Sequence, residues 1–110
     1  MERRKPNQSL MWLVGQKQWD IVKQMIREGV YNELAKDKER MASIISFAIK
    51  FQAPSTVIRL LVNLNPEALT ADVQGTIPFH VARSSGTPMK TILFLESTRQ
   101  RMNLKRYSLL

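Results

Sequence analysis

The chain has 110 residues, 44% of them hydrophobic and 24% charged, which suits one globular domain and excludes both wholesale disorder and a two-domain enzyme. It contains no cysteine, so a disulfide framework, a thiolate zinc site and a cysteine nucleophile are excluded together. The formal charge of +8 is uneven: residues 1–8 contribute +2, residues 99–110 contribute +4, and only +2 belongs to everything between.

In chain order, residues 1–8 form a basic N-terminal tail with Arg3, Arg4 and Lys5 against Glu2. A basic start followed by SLMWLVG imitates a secretory signal. The apolar run stops at Gly15, however, and QKQWD follows with no small-residue cleavage pattern, so that reading is rejected. Nothing approaches the run of about eighteen apolar residues that a membrane span needs. The expectation is an intracellular protein, cytoplasmic or nuclear.

The spacing then predicts helix pairs over 7–15 with 18–28, 41–51 with 54–64, and 78–85 with 88–98. Trp12 and Trp19 flank the first inter-helix turn. Such a pair can be a recognition platform. The simpler reading places Trp12 in the first core layer and Trp19 over an end that lacks a preceding helix pair. Glu33, Asp37 and Glu39 alternate with Lys36, Lys38 and Arg40, the pattern of a solvated loop. Residues 99–110 hold Arg99, Arg101, Lys105 and Arg106 with no acid. Their mutual repulsion predicts a frayed basic tail, or a partial cap built on Met102, Leu104, Tyr107 and Leu109.

The helix pairs repeat. Ala48 and Ala82 stand 34 residues apart, and the same offset brings Ile45 under Phe79, Leu60 and Leu61 under Phe94 and Leu95, and Pro54 under Pro88. An offset of 35 sets Leu13 under Ala48 and aligns Val22, Met25 and Ile26 with Val57, Leu60 and Leu61. In the second and third copies a proline opens the second helix, where its missing N–H removes no hydrogen bond. Helices this short are marginal alone, so stacking must supply the core.

A period near this length, with a turn and two helices, resembles the ankyrin repeat and its T-P-L-H-x-A signature. Residues 72–82, DVQGTIPFHVA, carry the likeness: Asp72, Gly75, Pro78, His80 and Ala82 fall on motif positions, and Gly86 falls where the family has its inter-helix glycine. Ile77 departs from it by replacing the capping threonine, a cap worth about 1 kcal/mol. NPEAL at 65–69 is similar to spacers in divergent members. The likeness implies an all-α solenoid of about three repeats, residues 9–40, 41–71 and 72–98. It also implies that His80 is structural, its ring hydrogen-bonded to backbone between repeats. That agrees with the residues themselves, since a single His without Cys completes no metal site or nucleophile pair.

No paired carboxylates, glycine-rich phosphate loop or nucleophile elbow is present, so neither catalysis nor a cofactor is expected. The resemblance implies a protein-interaction module whose partner lies on the concave face of turn tips and inner helices. That face would hold Lys38, Glu39 and Met41 at one tip, Lys50 and Phe51 on the inner helix, and Val73, Gln74, Thr76, Ser84 and Ser85 in the next repeat. Phe51 there is either exposed or buried against the following helix pair. A second reading is a nucleic-acid or ribonucleoprotein component held by the basic ends, which would bind without sequence preference and with steep salt dependence. Against it, the ends carry one aromatic, Tyr107. Apolar residues near both ends of the array also predict a homodimer, a permanent complex or a folded-back cap.

Overall fold

The computed structural model describes residues 6–71 and 78–108, and the described residues contain helices and no strand. Six α-helices follow in order: α1 Pro6–Gly15, α2 Trp19–Arg27, α3 Lys38–Lys50, α4 Ser55–Leu64, α5 Pro78–Ser84 and α6 Met89–Ser108. Two 3-10 segments, Leu34–Lys36 and Pro66–Thr70, lie after α2 and α4. α3 touches α1 and α5, while α4 touches α2 and α6, so the helices form two layers. The body they make is elongated, 49 × 31 × 25 Å.

Each hairpin closes with the same backbone device. Lys17, Gln52 and Gly86 have φ of 58, 62 and 71°, the left-handed region, and they sit two or three residues before each second helix begins. The following N–H reaches back five residues: Gln18 to the carbonyl of Leu13 at 2.9 Å, Ala53 to Ala48 at 3.0 Å and Thr87 to Ala82 at 3.3 Å. This is the long bond of a Schellman ending, which satisfies a carbonyl that the helix would otherwise leave open. Only the third copy uses glycine, the residue for which that conformation carries no Cβ penalty. The 34–35-residue period of the sequence thus has a counterpart in backbone geometry.

Burial follows the same register. Leu13, Ala48 and Ala82 are buried in the first layer; Val22 and Val57, then Ile26, Leu61 and Leu95, are buried in the second. α3 lies at the centre and buries Met41, Ala42, Ile44, Ile45, Ala48 and Ile49. A fully buried isoleucine contributes about 1.5–3 kcal/mol, so this helix is the main contributor to the core. Its start is fixed locally: Asp37 Oδ1 accepts from the Arg40 N–H at 3.1 Å, an N-cap. Asn65 ties the two loop segments together. Its Nδ2 donates to the Ala35 carbonyl at 2.7 Å and its Oδ1 accepts from the Glu67 N–H at 3.2 Å.

Four expectations need correction. Residues 99–108 are not frayed, because α6 runs unbroken to Ser108. It holds no Gly or Pro, and extending an existing helix avoids the nucleation cost. Leu95 and Thr98 are buried and Met102 is half-buried on one helical face, with α6 packed along the 66–70 segment. The cations do not oppose this. The Arg101 Nη2 donates to Thr98 Oγ1 at 3.4 Å, and Arg99 is engaged with another group of the protein. At the other end α1 starts at Pro6, inside the segment read as a tail.

Trp12 is the second correction: it is 52% exposed rather than in the first core layer. Leu10, Leu13 and Val14 fill that layer, while Trp19 is half-buried against it. Met41 is the third, wholly buried instead of presented at a turn tip. α3 begins three residues earlier than expected, so Met41 falls one turn before Ile44 and Ile45 on the core face. The fourth concerns only the burial of His80: a structural ring between repeats implies an enclosed residue, whereas His80 is exposed, while still engaged by another group of the protein. One core residue has no forewarning in the sequence. Tyr31 is completely buried, its hydroxyl donating only to the Met25 sulfur at 3.5 Å, and burial raises its pKa above the usual phenol value.

Candidate partner-binding face

The residues expected to bind a partner separate along α3. Lys38 and Glu39 are exposed in its first turn, whereas Lys50 is exposed and Phe51 half-buried at its end. At 1.5 Å per residue these groups stand about 18 Å apart. Ser84 and Ser85 end α5 beside the Lys50 end, since the 52–54 and 85–88 turns line one cleft. Ser84 is exposed and its Oγ donates to the His80 carbonyl at 2.9 Å, so its hydroxyl is partly used inside its own helix. Ser85 is half-buried. Pro78 is buried at the start of α5, Ala82 is buried within it, and Gly86 closes its turn. Asp72, Val73, Gln74, Gly75, Thr76 and Ile77 lie outside the described residues.

Across the inner helices, one repeat position is filled by Trp12, Phe47 and Val81 in turn, exposed, half-buried and buried. Phe51 joins this file one turn on, its ring centroid 4.4 Å from that of Phe47 at an interplanar angle of 36°. Both rings rest against the end of α1: a Cβ placed on Gly15 would meet the Cε2 atoms of Phe47 and Phe51 at 3.9 Å each. A methyl group there would make ordinary van der Waals contact with both rings. Two aromatic rings therefore crowd the end of α1 at the C-terminal end of α3, with Lys50 exposed beside Phe51, while Trp12 is exposed at the equivalent position of α1. The sequence pairs Trp12 with Phe47 by the 35-residue offset, a signal visible before folding, but the apolar character of the position reads equally well as core.

Charge divides along the helices. The inter-helix turns carry Lys17, Lys50, Arg83 and Lys90 against Asp20, which pairs with Lys23 at 3.5 Å. The opposite ends carry Glu28, Glu33, Asp37, Glu39 and Glu67 interleaved with Arg27, Lys36, Lys38 and Arg40. There the ions pair locally, Lys36 with Glu33 at 3.1 Å and Arg40 with Asp37 at 3.9 Å. Exposed pairs of this kind contribute little to stability.

A second feature arises only from the stacking of the hairpins. A cleft of about 410 Å³ opens between the second and third inter-helix turns, walled by Gln52, Pro54, Ser55, Gly86, Pro88 and Thr91 among others. Its signal was the matched pair of prolines, Pro54 and Pro88, each opening a helix at the same edge. Among the described residues, no group of three or more His, Asp or Glu could hold a metal ion, and no helix is long and apolar enough to cross a membrane. No family model, no curated protein and no solved structure matches this chain.

Proposed function

We propose that this chain is an ankyrin-like solenoid of about three helix-pair repeats that acts as a non-catalytic protein-interaction module. Its partner docks on the inner-helix face. The observation that carries this reading is the Phe47–Phe51 ring pair next to exposed Lys50, together with a half-exposed Trp12 at the repeat position equivalent to Phe47. Tryptophan and tyrosine anchors dominate protein interfaces, and truncating one typically costs 2 kcal/mol or more, roughly a thirtyfold loss of affinity. The surrounding hydroxyls and mixed charges supply a polar rim.

The test compares the wild type with Trp12→Ala and Phe51→Ala as baits in affinity capture with mass spectrometry. A partner retained by the wild type and lost from both variants, with melts that show them folded, supports the assignment. Capture that is indifferent to both substitutions refutes it. A nucleic-acid-binding reading has one observation in its favour: Arg99, Arg101, Lys105 and Arg106 all stand on the helical backbone of α6. It requires the affinity for a generic RNA to fall steeply with salt, with a log–log slope close to the number of engaged phosphates.

A further inference from the structure

α6 carries apolar residues on two opposite sides. Thr91, Leu95 and Thr98 are buried and Met102 is half-buried on the side that meets the rest of the protein. At about 100° per residue, Met89, Leu93 and Leu104 stand on the other side of the helix, and they are 65%, 55% and 67% exposed. With Ser97 and Gln100 between them they form a line at positions 89, 93, 97, 100 and 104. Steps of three and four residues are those of a seam between paired helices.

The repeat shows that this line is peculiar to the last helix. The 34- and 35-residue offsets set Met89 over Ser55 and Asp20, and Leu93 over Arg59 and Gln24. Asp20, Gln24 and Arg59 are exposed and Ser55 is half-buried, so this register turns toward solvent in each copy and only α6 makes it apolar. α6 is also longer, 20 residues against 9 for α2 and 10 for α4, and its added turns carry Leu104 on the same line. One apolar face is satisfied by the core of the protein; a second needs a second cover.

Charge indicates what that cover is. Glu96 and Arg101 flank the line on opposite sides, five residues apart. Between parallel helices related by a twofold axis, flanking positions with this spacing face each other across the seam. Glu96 of each copy then meets Arg101 of the other, and the line is complementary to itself. Among the described residues Glu96 has no ion-pair partner within its own chain. Lys90 lies on the Arg101 side at the start of the line, where its stem can pack while its ammonium stays in water.

We propose that α6 pairs in parallel with α6 of a second copy of this chain, through the 89–104 line and two reciprocal Glu96–Arg101 ion pairs. α6 belongs to the layer of α2 and α4, so the dimer leaves the inner-helix face open. A seam about 30 Å long is small for a dimer interface, and the association is weak and reversible.

The experiment is sedimentation of the intact protein from about 10 μM to about 1 mM, the range in which a weak dimer forms. The mass is expected to rise from 12.7 kDa to twice that value and no further. Leu93→Gln, which returns this register to the polar type found in α2, should weaken dimerisation by about tenfold or more. Its melting temperature in dilute solution should not change, because Leu93 is exposed in the single chain. Leu104→Gln should act in the same sense. Glu96→Arg should weaken the dimer about fivefold, and adding Arg101→Glu should restore it. A mass of 12.7 kDa at every concentration overturns the proposal, as does a dimer indifferent to both leucine substitutions. Growth beyond the dimer means end-to-end stacking of the helix pairs and overturns the twofold pairing. A charge exchange that fails to restore the dimer overturns the parallel direction.

Discussion

Replacing Gln52 by glycine should stabilise the protein. Gln52 holds φ at 62°, is exposed, and ends α3 in the conformation that Gly86 adopts at 71° after α5. A non-glycine residue in the left-handed region costs about 1–2 kcal/mol. Glycine avoids that strain but loses about 0.5–1 kcal/mol through the larger entropy of its unfolded chain. The difference leaves a net gain of about 0.5–1 kcal/mol, and Lys17→Gly, at φ 58°, should gain the same. For a domain near 100 residues, 1 kcal/mol moves the thermal midpoint by about 4 °C or more. The converse change, Gly86→Ala, should lose about 1 kcal/mol. A Cβ there meets nothing within 4 Å, so backbone strain is the whole cost. The assay is a urea titration followed by circular dichroism, in which a shifted midpoint at constant slope reports stability alone. Gln52→Ala is the control, since it removes the side chain but keeps the strain. An equal gain from alanine, or a loss from glycine, would refute the account of all three turns.

Ser46→Ala should stabilise by about 1 kcal/mol, because the Ser46 Oγ is buried without a hydrogen-bond partner and alanine is the better helix former; a lower urea midpoint would disprove this. Asn65→Ala should lose about 1–3 kcal/mol through its bonds to Ala35 and Glu67, and a midpoint within error of the wild type would show that those loops are held otherwise. Tyr31 has a pKa raised by burial, so its unfolded form ionises first: stability should hold below pH 10 and fall as pH rises above it. Tyr31→Phe should remove that part of the alkaline decline at a neutral-pH cost under about 1 kcal/mol, since only a sulfur accepts its hydroxyl. Ending the chain at Thr98 should lower the urea midpoint and helix content together, because it cuts α6 beside its contact with the 66–70 segment. An unchanged midpoint would return residues 99–110 to the role of a tail.

Local sequence determined where the helices start and stop. Apolar spacing, Pro54, Pro88 and Gly86 act within a few residues of themselves, so the six helix positions were legible to within about three residues, apart from the far end of α6. The 34-residue offset likewise paired Ala48 with Ala82 and Leu61 with Leu95, all of them buried. What the tertiary structure decided is which apolar side chains lie inside. Trp12 and Met41 look alike in a periodicity count, but one is half-exposed and the other wholly enclosed. The difference depends on helix phase and on how closely neighbouring helices approach, as at Gly15 beside Phe47 and Phe51. The length of α6 was hidden for a related reason. Charge repulsion argued for fraying, while the opposing term was packing against a segment some thirty residues earlier in the chain. The cleft, too, exists only once Pro54 and Pro88 stand side by side, because its two walls belong to turns that the chain separates and the stacking of hairpins joins.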